Sequence, residues 1–472
     1  MIRKTKIVAT IGPASESYDV LKSMMLAGLN MARINFSHGS WEEQKEKVDR
    51  VKKIREELKL PVAIMLDMKG PEIRMGKFSE KVYLEEGQTF TIKYEDVIGN
   101  KEEASISYKE LYLDVEVGSI ILIDDGLIKL KVKEIKDKNM ICTVINGGPV
   151  SSNKGVNVPN IKLNLPSLTQ KDIDDVIGAI DNDLDYIAVS FVRRKSDVLA
   201  VRELLDKRNS NIKLISKVEN KEGVDNLEEI IEVSDGIMVA RGDLGVEIPF
   251  AEVPIIQKDM IKKTYSKAKP VITATQMLES MIVSPEPTRA EVSDVANAIY
   301  DGTSAIMLSG ETAMGNHPVE CIKKMDEIAK TVEATIKYWK RFQAKEVSKE
   351  NFEFIIDHAM IMTALSIDVK AIFCYTKTGD TPRIIASMQP KCPIFVTTSK
   401  PKIYHQLGLV WGIQSRLRDT EIDPKEMILE DINLKLKEGF LQKGDIVLIA
   451  GGKYISNDER EVNKSIGGIY QV

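Results

Sequence analysis

The stretch YIAVSFVRRKSDVLAVRELLDKRNSNIKLISKVENKEGVDNLEEIIEVSDGIMVARGDLG, residues 186–245, decides the fold. At Tyr186–Val192, Lys213–Val218 and Gly236–Ala240 a short β-rich run ends in a polar turn, and amphipathic segments lie between the runs, which is the pattern of parallel βα units. Outward from it, further runs stand at Lys6–Ile11, Met31–Phe36, Val62–Asp67, Pro270–Ala274 and Ala305–Leu308, making eight. The helices between them are readable from period: Ile173, Val176, Ile177 and Ile180 fall at i, i+3, i+4 and i+7, as do Val292, Val295, Ala296 and Ile299. Trp41–Lys59 carries Val48, Val51, Ile54 and Leu58 on one side, and its Lys, Glu and Arg residues read as a solvated face. Eight strand–helix units in ~250 residues predict an α/β fold, a (β/α)8 TIM barrel.

The repeat is broken between Pro71 and Pro166 by period-two alternation: Val82 and Leu84, Phe90, Ile92 and Tyr94, Ile128, Leu130 and Val132. Asp124-Asp125-Gly126 and Asn146-Gly147-Gly148 supply turn chemistry, so a small β-barrel domain is expected after the third barrel strand. Set above the mouth of the barrel, it would act as a lid that excludes water. After a long helix expected over Asp326–Lys345, strands at Ala371–Tyr375, Ile394–Thr397 and Asp445–Ala450 alternate with helices near Thr381–Met388 and Pro424–Lys437. They predict a C-terminal open α/β domain. The expected limits are 1–70 and 167–346 for the barrel, 71–166 for the lid and 347–472 for the last domain.

A chain of 472 residues with 43% hydrophobic and 29% charged residues can bury several cores, which argues against disorder. Lys plus Arg is 66 and Asp plus Glu 71, a mixed net charge of −5, so no basic field exists for a nucleic acid. Apolar runs such as Ile446–Ala450 fall far short of the ~20 residues that span a bilayer, and Met1–Thr10 lacks a signal-peptide core. A cytoplasmic location away from membranes is expected. Cys142, Cys321, Cys374 and Cys392 form neither a CxxC pair nor a disulfide framework and read as reduced, mostly buried thiols. His38, His317, His358 and His405 are equally scattered, which disfavours zinc, so any metal must be held by oxygen.

In such barrels reacting groups sit where strands end. The second strand ends in Arg33-Ile34-Asn35-Phe36-Ser37-His38-Gly39, the third in Asp67-Met68-Lys69-Gly70 and the fifth in Lys217-Val218-Glu219-Asn220. The sixth ends in Arg241-Gly242-Asp243, the seventh in Thr273-Ala274-Thr275-Gln276 and the eighth in Ser309-Gly310-Glu311. Glu219 and Asp243 would converge from adjacent strand ends, and two carboxylates with open remaining positions suit Mg²⁺. Taken singly, each could instead bridge to Lys217 or Arg241. Lys217 and Arg33 make a phosphate or carboxylate the natural guest, and Gly242 offers close backbone approach. Asn35, Ser37 and Asp67 form a weak-field oxygen set that suits a monovalent cation, with a hydrogen-bonded turn as the alternative. No GxxxxGK[ST] or GxGxxG loop occurs. Thr376-Lys377-Thr378-Gly379-Asp380-Thr381 lies between a strand and a helix and could hold a phosphate or be an ordinary capping turn.

Together these strings resemble the pyruvate kinase family over essentially the whole chain: MARINFSHG (31–39), LDMKGPEIR (66–74), NKGVNVP (153–159), ISKVEN (215–220), VARGDLG (239–245), TATQMLESM (273–281), PTRAEVSDVANAIYDG (287–302) and MLSGETAMG (307–315). The resemblance implies phosphoryl transfer from phosphoenolpyruvate to ADP, giving pyruvate and ATP. By that likeness Lys217 stabilises the transferred group, Arg33 contacts its phosphate, and Glu219 and Asp243 hold Mg²⁺ or Mn²⁺. Gly242, Asp243 and Thr275 bind the carboxylate end of the substrate, with Thr275 near the enolate carbon that is protonated. Asn35, Ser37, Asp67 and the carbonyl of Met68, where Thr is common, would hold K⁺. Glu72 matches the K⁺-requiring form, in which K⁺-independent members carry Lys. The implied nucleotide contacts are Asn35, Ser37, His38, Arg74 and, from the lid, Lys154.

The last domain resembles the family's effector-binding domain, with Thr376, Lys377, Thr378, Gly379 and Thr381 in its phosphate-holding turn. Asp380 is an acid where some members have a basic or neutral residue. Gly451-Gly452-Lys453-Tyr454-Ile455-Ser456 lacks the Trp/Arg/Pro-Gly loop that closes over fructose 1,6-bisphosphate, which points to a sugar monophosphate or AMP. A homotetramer is the usual assembly of the family. The chain stops at Val472, so the additional phosphotransfer-like domain of some bacterial members is expected to be absent. A Mg²⁺-dependent barrel lyase or mutase would want the same two carboxylates but not Lys154, and an idle phosphometabolite sensor would leave the strand-end cluster without purpose. Pyruvate formation with and without ADP separates the three.

Overall fold

The structure is a computed structural model that describes residues 2–37, 39–343, 352–418, 423–451 and 466–472. Eight parallel strands, Lys6–Thr10, Met31–Asn35, Ala63–Asp67, Tyr186–Val189, Lys213–Val218, Gly236–Ala240, Val271–Ala274 and Ala305–Leu308, close into a barrel in chain order. Closure is made by pairing Lys6 with Ala305, and the third and fourth strands pair Met65 with Tyr186 across the long insertion. Successive strand residues face opposite ways, so Ile7 and Ala9 pack outward under the helices while Val8 between them joins Met65, Ile215, Met238 and Met307 inside the ring. The interior is a packed core, and the strand ends above it are left to carry polar groups.

The helix Trp41–Leu58 begins at a reciprocal Ser40–Glu43 capping box and ends at Lys59 in a left-handed conformation. The periodicity suggests a wholly solvated charged side, and the structure departs from that. Arg55 is buried and donates to the Val62 carbonyl and to Asp185 at 2.7 Å, and the same Asp185 oxygen accepts from the Ile64 N–H. A charged stem at that position ties the helix to the barrel wall.

Between the third and fourth barrel strands lies a seven-stranded sheet in the order Ile73–Arg74, Gly155–Asn157, Ile120–Ile123, Ile128–Lys136, Asn139–Asn146, Thr89–Lys93, Glu103–Ser105. Val82–Leu84 and Gly148–Val150 make a second, two-stranded sheet, and Phe90, Ile92, Leu130 and Cys142 belong to a core separate from the barrel's. The chain enters and leaves this module through neighbouring antiparallel strands that pair Arg74 with Gly155.

The C-terminal domain has a five-stranded sheet, Ile413–Leu417, Ile394–Thr398, Ala371–Tyr375, Ile446–Gly451 and Ile466–Gln471, parallel except for the last strand. Two of these strands were not read from the sequence. The long helix before it differs as well. It runs Pro318–Thr335 with proline in its first turn, ends where Ile336 turns extended, and is followed by a short helix Tyr338–Gln343. The domain docks under the barrel floor: the Tyr186 hydroxyl donates to the Gln406 carbonyl at 2.7 Å, and Leu409 packs into the interior cluster. The four cysteines are unbridged and buried, with burial pushing Cys142, Cys321 and Cys392 up to about 12. Among the described residues no helix is long and apolar enough to cross a membrane.

Candidate active site

Register places the polar ends of the strands side by side. Asn35 pairs with Asp67, and Ala240 pairs with Ala274, so Gly242 and Thr275 lie on neighbouring strand ends. The centre of the rim is Lys217. Its ammonium reaches Ser190 Oγ at 2.8 Å, Glu219 Oε1 at 2.9 Å and Asp67 Oδ1 at 3.2 Å, giving each of its three hydrogens an acceptor. Asp67 also accepts from Arg33 Nε at 2.5 Å, and Arg33 Nη1 donates to Thr10 Oγ1 at 2.7 Å. Two cations and two carboxylates thus interlock in a region where Lys217 is 12% and Asp67 1% exposed.

The interlock sets the electrostatics of the rim. Burial alone would lower the Lys217 ammonium, but Asp67 and Glu219 outweigh it and hold its pKa above the ordinary lysine value. Burial alone would raise Asp67, but Arg33 and Lys217 pull it below the usual carboxylate value. Glu219 goes the other way. Burial and the neighbouring Asp243 carboxylate raise it despite Lys217. A buried Glu219 beside the Asp243 carboxylate is a donor set that a divalent cation fits, and Lys217 bridges to Glu219 in the same rim. The other alternative bridge does not form: Arg241 pairs with Asp294 at 2.7 Å, leaving Asp243 to the rim.

Thr275 and Gly242 are in direct contact. The Gly242 N–H donates to Thr275 Oγ1 at 2.8 Å, and the Thr275 hydroxyl donates to the Ala274 carbonyl at 2.6 Å. Thr275 and Gln276 stand at φ 68 and φ 52, a left-handed pair held by Arg241, which donates to the Ala274 and Thr275 carbonyls at 3.2 and 2.6 Å. Asn35 Oδ1 accepts from the Ser37 N–H at 3.0 Å, and the Met68 carbonyl accepts from the Ser190 hydroxyl at 2.6 Å. These oxygens come from two adjacent strand ends, and the carboxylate among them is already neutralised by Arg33 and Lys217. His38 lies outside the described residues.

Arg74 and Lys154 are paired within the inserted module. Arg74 makes two contacts with Glu72, at 2.6 and 3.0 Å, and Lys154 pairs with Asp124 at 2.9 Å. In the last domain Thr376 Oγ1 accepts from the Gly379 N–H at 2.8 Å and Thr378 Oγ1 from Asp380 N at 3.5 Å, with Gly379 at φ 87 opening the helix Asp380–Ser387. Lys377 and Thr381 belong to the same turn and first helical residues. Residues 452–456, where the Trp/Arg/Pro-Gly closing loop is expected to be lacking, lie outside the described residues.

Sequence reasoning missed Ser190 and Phe191. Ser190 links Lys217 to Met68, and the Phe191 N–H donates to Glu219 Oε2 at 2.6 Å from a left-handed φ of 54. The sequence pattern extends the fourth run to Val192, whereas the strand ends at Val189, which sets both residues on the rim.

Comparison with known proteins agrees with this geometry. The family model for the pyruvate kinase barrel domain matches residues 2–322, and that for the pyruvate kinase alpha/beta domain matches residues 355–462. The chain is 47% identical over 455 residues to a pyruvate kinase of Clostridium acetobutylicum, with 96% of each covered. It is 47% identical over 459 residues to one from Geobacillus stearothermophilus, covering 96% of this chain and 78% of the relative. The solved structure of a pyruvate kinase from Cryptosporidium parvum superposes with a TM-score of 0.93 at 36% identity, covering 99% of this chain and 96% of the other. The chain belongs to the pyruvate kinase family, transferases that pass a phosphoryl group from phosphoenolpyruvate to ADP.

Proposed function

We propose that this chain carries out that transfer at the rim around Lys217, with Mg²⁺ or Mn²⁺ held by Glu219 and Asp243 and with K⁺ held by Asn35, Ser37, Asp67 and the Met68 carbonyl. The observation that carries the reading is the Lys217 ammonium, buried and backed by two carboxylates. It is held in the charged form, and exchanging one of its three acceptors for a phosphoryl oxygen puts that charge on the transferring group. Arg33, oriented by Asp67 and Thr10, binds the same phosphate through its remaining N–H groups. When bound, the divalent cation supplies charge neutralisation to the phosphoryl oxygens and the enolate. Gly242, Asp243 and Thr275 receive the carboxylate end of phosphoenolpyruvate, and Thr275 borders the path by which the enolate carbon gains its proton.

The module at 71–166 then serves as a lid. Arg74 and Lys154, with Asn35, Ser37 and His38 on the barrel side, contact ADP. The domain at 347–472 regulates the barrel through a sugar monophosphate or AMP held at Thr376, Lys377, Thr378, Gly379 and Thr381, where the N–H-rich turn at Gly379 supports an anion. The working form is a cytoplasmic homotetramer, with the barrel formed by 1–70 and 167–346. The test is pyruvate formation from phosphoenolpyruvate with and without ADP, in wild type and Lys217→Met. ADP-dependent turnover that Lys217→Met abolishes is expected, and turnover without ADP would overturn the reading.

A further inference from the structure

The proposed lid meets the barrel along a cleft of mixed charge, with Lys162, Arg193 and Lys221 among its acids. Asp125, at the tip of its Asp124-Asp125-Gly126 turn, is pushed up by burial and then by Asp243 and Asp124. Glu247 is pushed up by burial and by Asp243, and a hydrogen bond from Asn157 opposes the rise. Asp125, Asn157, Asp243 and Glu247 all border one cleft of about 590 Å³ between the module and the barrel. Asp125 on the module and Asp243 on the barrel disfavour close approach, so contacts across the cleft matter to its closure. One of them is neutral on one side: Asn157 Nδ2 donates to Glu247 Oε1 at 2.8 Å.

The chain positions of the two partners give the bond its meaning. Asn157 ends the strand Gly155–Asn157, three residues after Lys154 and paired through Gly155 with Arg74. Glu247 ends the helix Arg241–Glu247, one turn beyond Asp243 and on the same face. One hydrogen bond thus ties the part of the lid that bears Arg74 and Lys154 to the helix that presents Gly242 and Asp243. A cationic donor in place of Asn157 would make a stronger pair with Glu247 but would put a competing positive charge beside the proposed phosphate path. An amide satisfies the acid without one.

We propose that Asn157 and Glu247 form the mooring of the lid and are positioning residues for phosphoryl transfer, setting nucleotide affinity through Arg74 and Lys154. The proposal rests on the reading of 71–166 as a lid over Asp243. It is tested by exchanging the polarity of the bond in the full chain. Asn157→Asp sets carboxylate against carboxylate and is expected to raise KM for ADP about tenfold, with a smaller change in KM for phosphoenolpyruvate, and to speed proteolytic cleavage at the lid tether. Glu247→Gln combined with Asn157→Asp restores an amide–carboxylate pair in reverse and should recover most of both effects. If Asn157→Asp does not fold, Asn157→Ala and Glu247→Ala give the same information as a double-mutant cycle, in which the joint effect on KM for ADP should equal either single effect.

Unchanged KM for ADP in Asn157→Asp, no recovery in the exchanged pair, or simple additivity in the cycle would overturn the mooring. Asp243→Asn separates the two readings. Lost turnover there, with wild-type behaviour in Asn157→Asp, rejects the mooring and leaves the active site standing. Full turnover in Asp243→Asn rejects the active-site reading, while tether cleavage in the exchanged pair still reports on the mooring.

Discussion

Lys217 and Lys154 are both assigned to phosphate oxygens, yet they are held in opposite ways. Lys217 leaves a barrel strand, is 12% exposed and has an acceptor for every ammonium hydrogen. Lys154 leaves a lid strand edge, is 39% exposed and has one carboxylate partner, Asp124. Breaking a buried, networked pair costs about 3–5 kcal/mol, whereas an exposed pair contributes about 0–1 kcal/mol. The barrel rim is therefore built not to rearrange, and the lid is built so that rearranging costs little. On the proposed function, preorganised charge serves the chemistry and movable charge serves entry and release of the nucleotide.

The largest test of that division is Lys217→Met, for which phosphoryl transfer is expected to fall by roughly a thousandfold or more. Proton exchange into pyruvate, measured separately by isotope uptake, should persist because Thr275 is untouched. Equal loss of both would assign Lys217 to a step the two reactions share, and retained transfer would place it outside the chemistry. Next is Asp67→Asn, which leaves Arg33 and Lys217 short of a carboxylate and is expected to lower stability in urea by about 3–5 kcal/mol. Asp67 also gives this effect a pH signature. Its folded pKa lies below the ordinary 3.8, so its contribution is present above about pH 3.8 and is lost as pH falls through the lower folded value. Asp67→Asn should flatten that acid limb, and an unchanged limb would show that the rim network does not stabilise the fold.

Arg74→Ala and Lys154→Ala sharpen the other half of the comparison. Each is expected to raise KM for ADP about tenfold while urea stability changes by less than about 1 kcal/mol. A loss of stability comparable to that of Asp67→Asn would erase the distinction between rim and lid. The smallest effect expected is a severalfold drop in activity when both K⁺ and Na⁺ are withheld, measured against buffer with K⁺ restored. Full activity without them would remove the monovalent site from the rim.

The barrel was legible because strands buried on both faces and helices buried on one leave different periods in the sequence, and eight repeats reinforce one another. The same logic located Lys217, Glu219, Asp243 and Thr275, because a strand end fixes both the position and the direction of the next few residues. It did not disclose Ser190, which is an ordinary serine until the fold sets it between Lys217 and the Met68 carbonyl. Nor could it show that Arg55 is buried on a helix side rich in Lys and Glu, since its partner Asp185 is 130 residues away. The strand Ile413–Leu417 reads IQSRL, too polar to announce itself, and takes its place from pairing with Ile394–Thr398. Where pattern was repeated, the sequence could be read locally; where a single long-range contact decided the outcome, only three dimensions revealed it.

The backbone at Thr275 has one more consequence. A β-branched residue at φ 68, with Gln276 after it at φ 52, is a conformation that costs about 1–3 kcal/mol per residue, and Arg241 clamps it from below. Glycine would accept that geometry without strain, but Thr275→Gly also gives up the hydrogen bonds of Oγ1 with the Gly242 N–H and the Ala274 carbonyl, so turnover should collapse while the melting temperature shifts by no more than a few degrees. At this corner the hydroxyl that holds a strained backbone in place is the same one the substrate would meet.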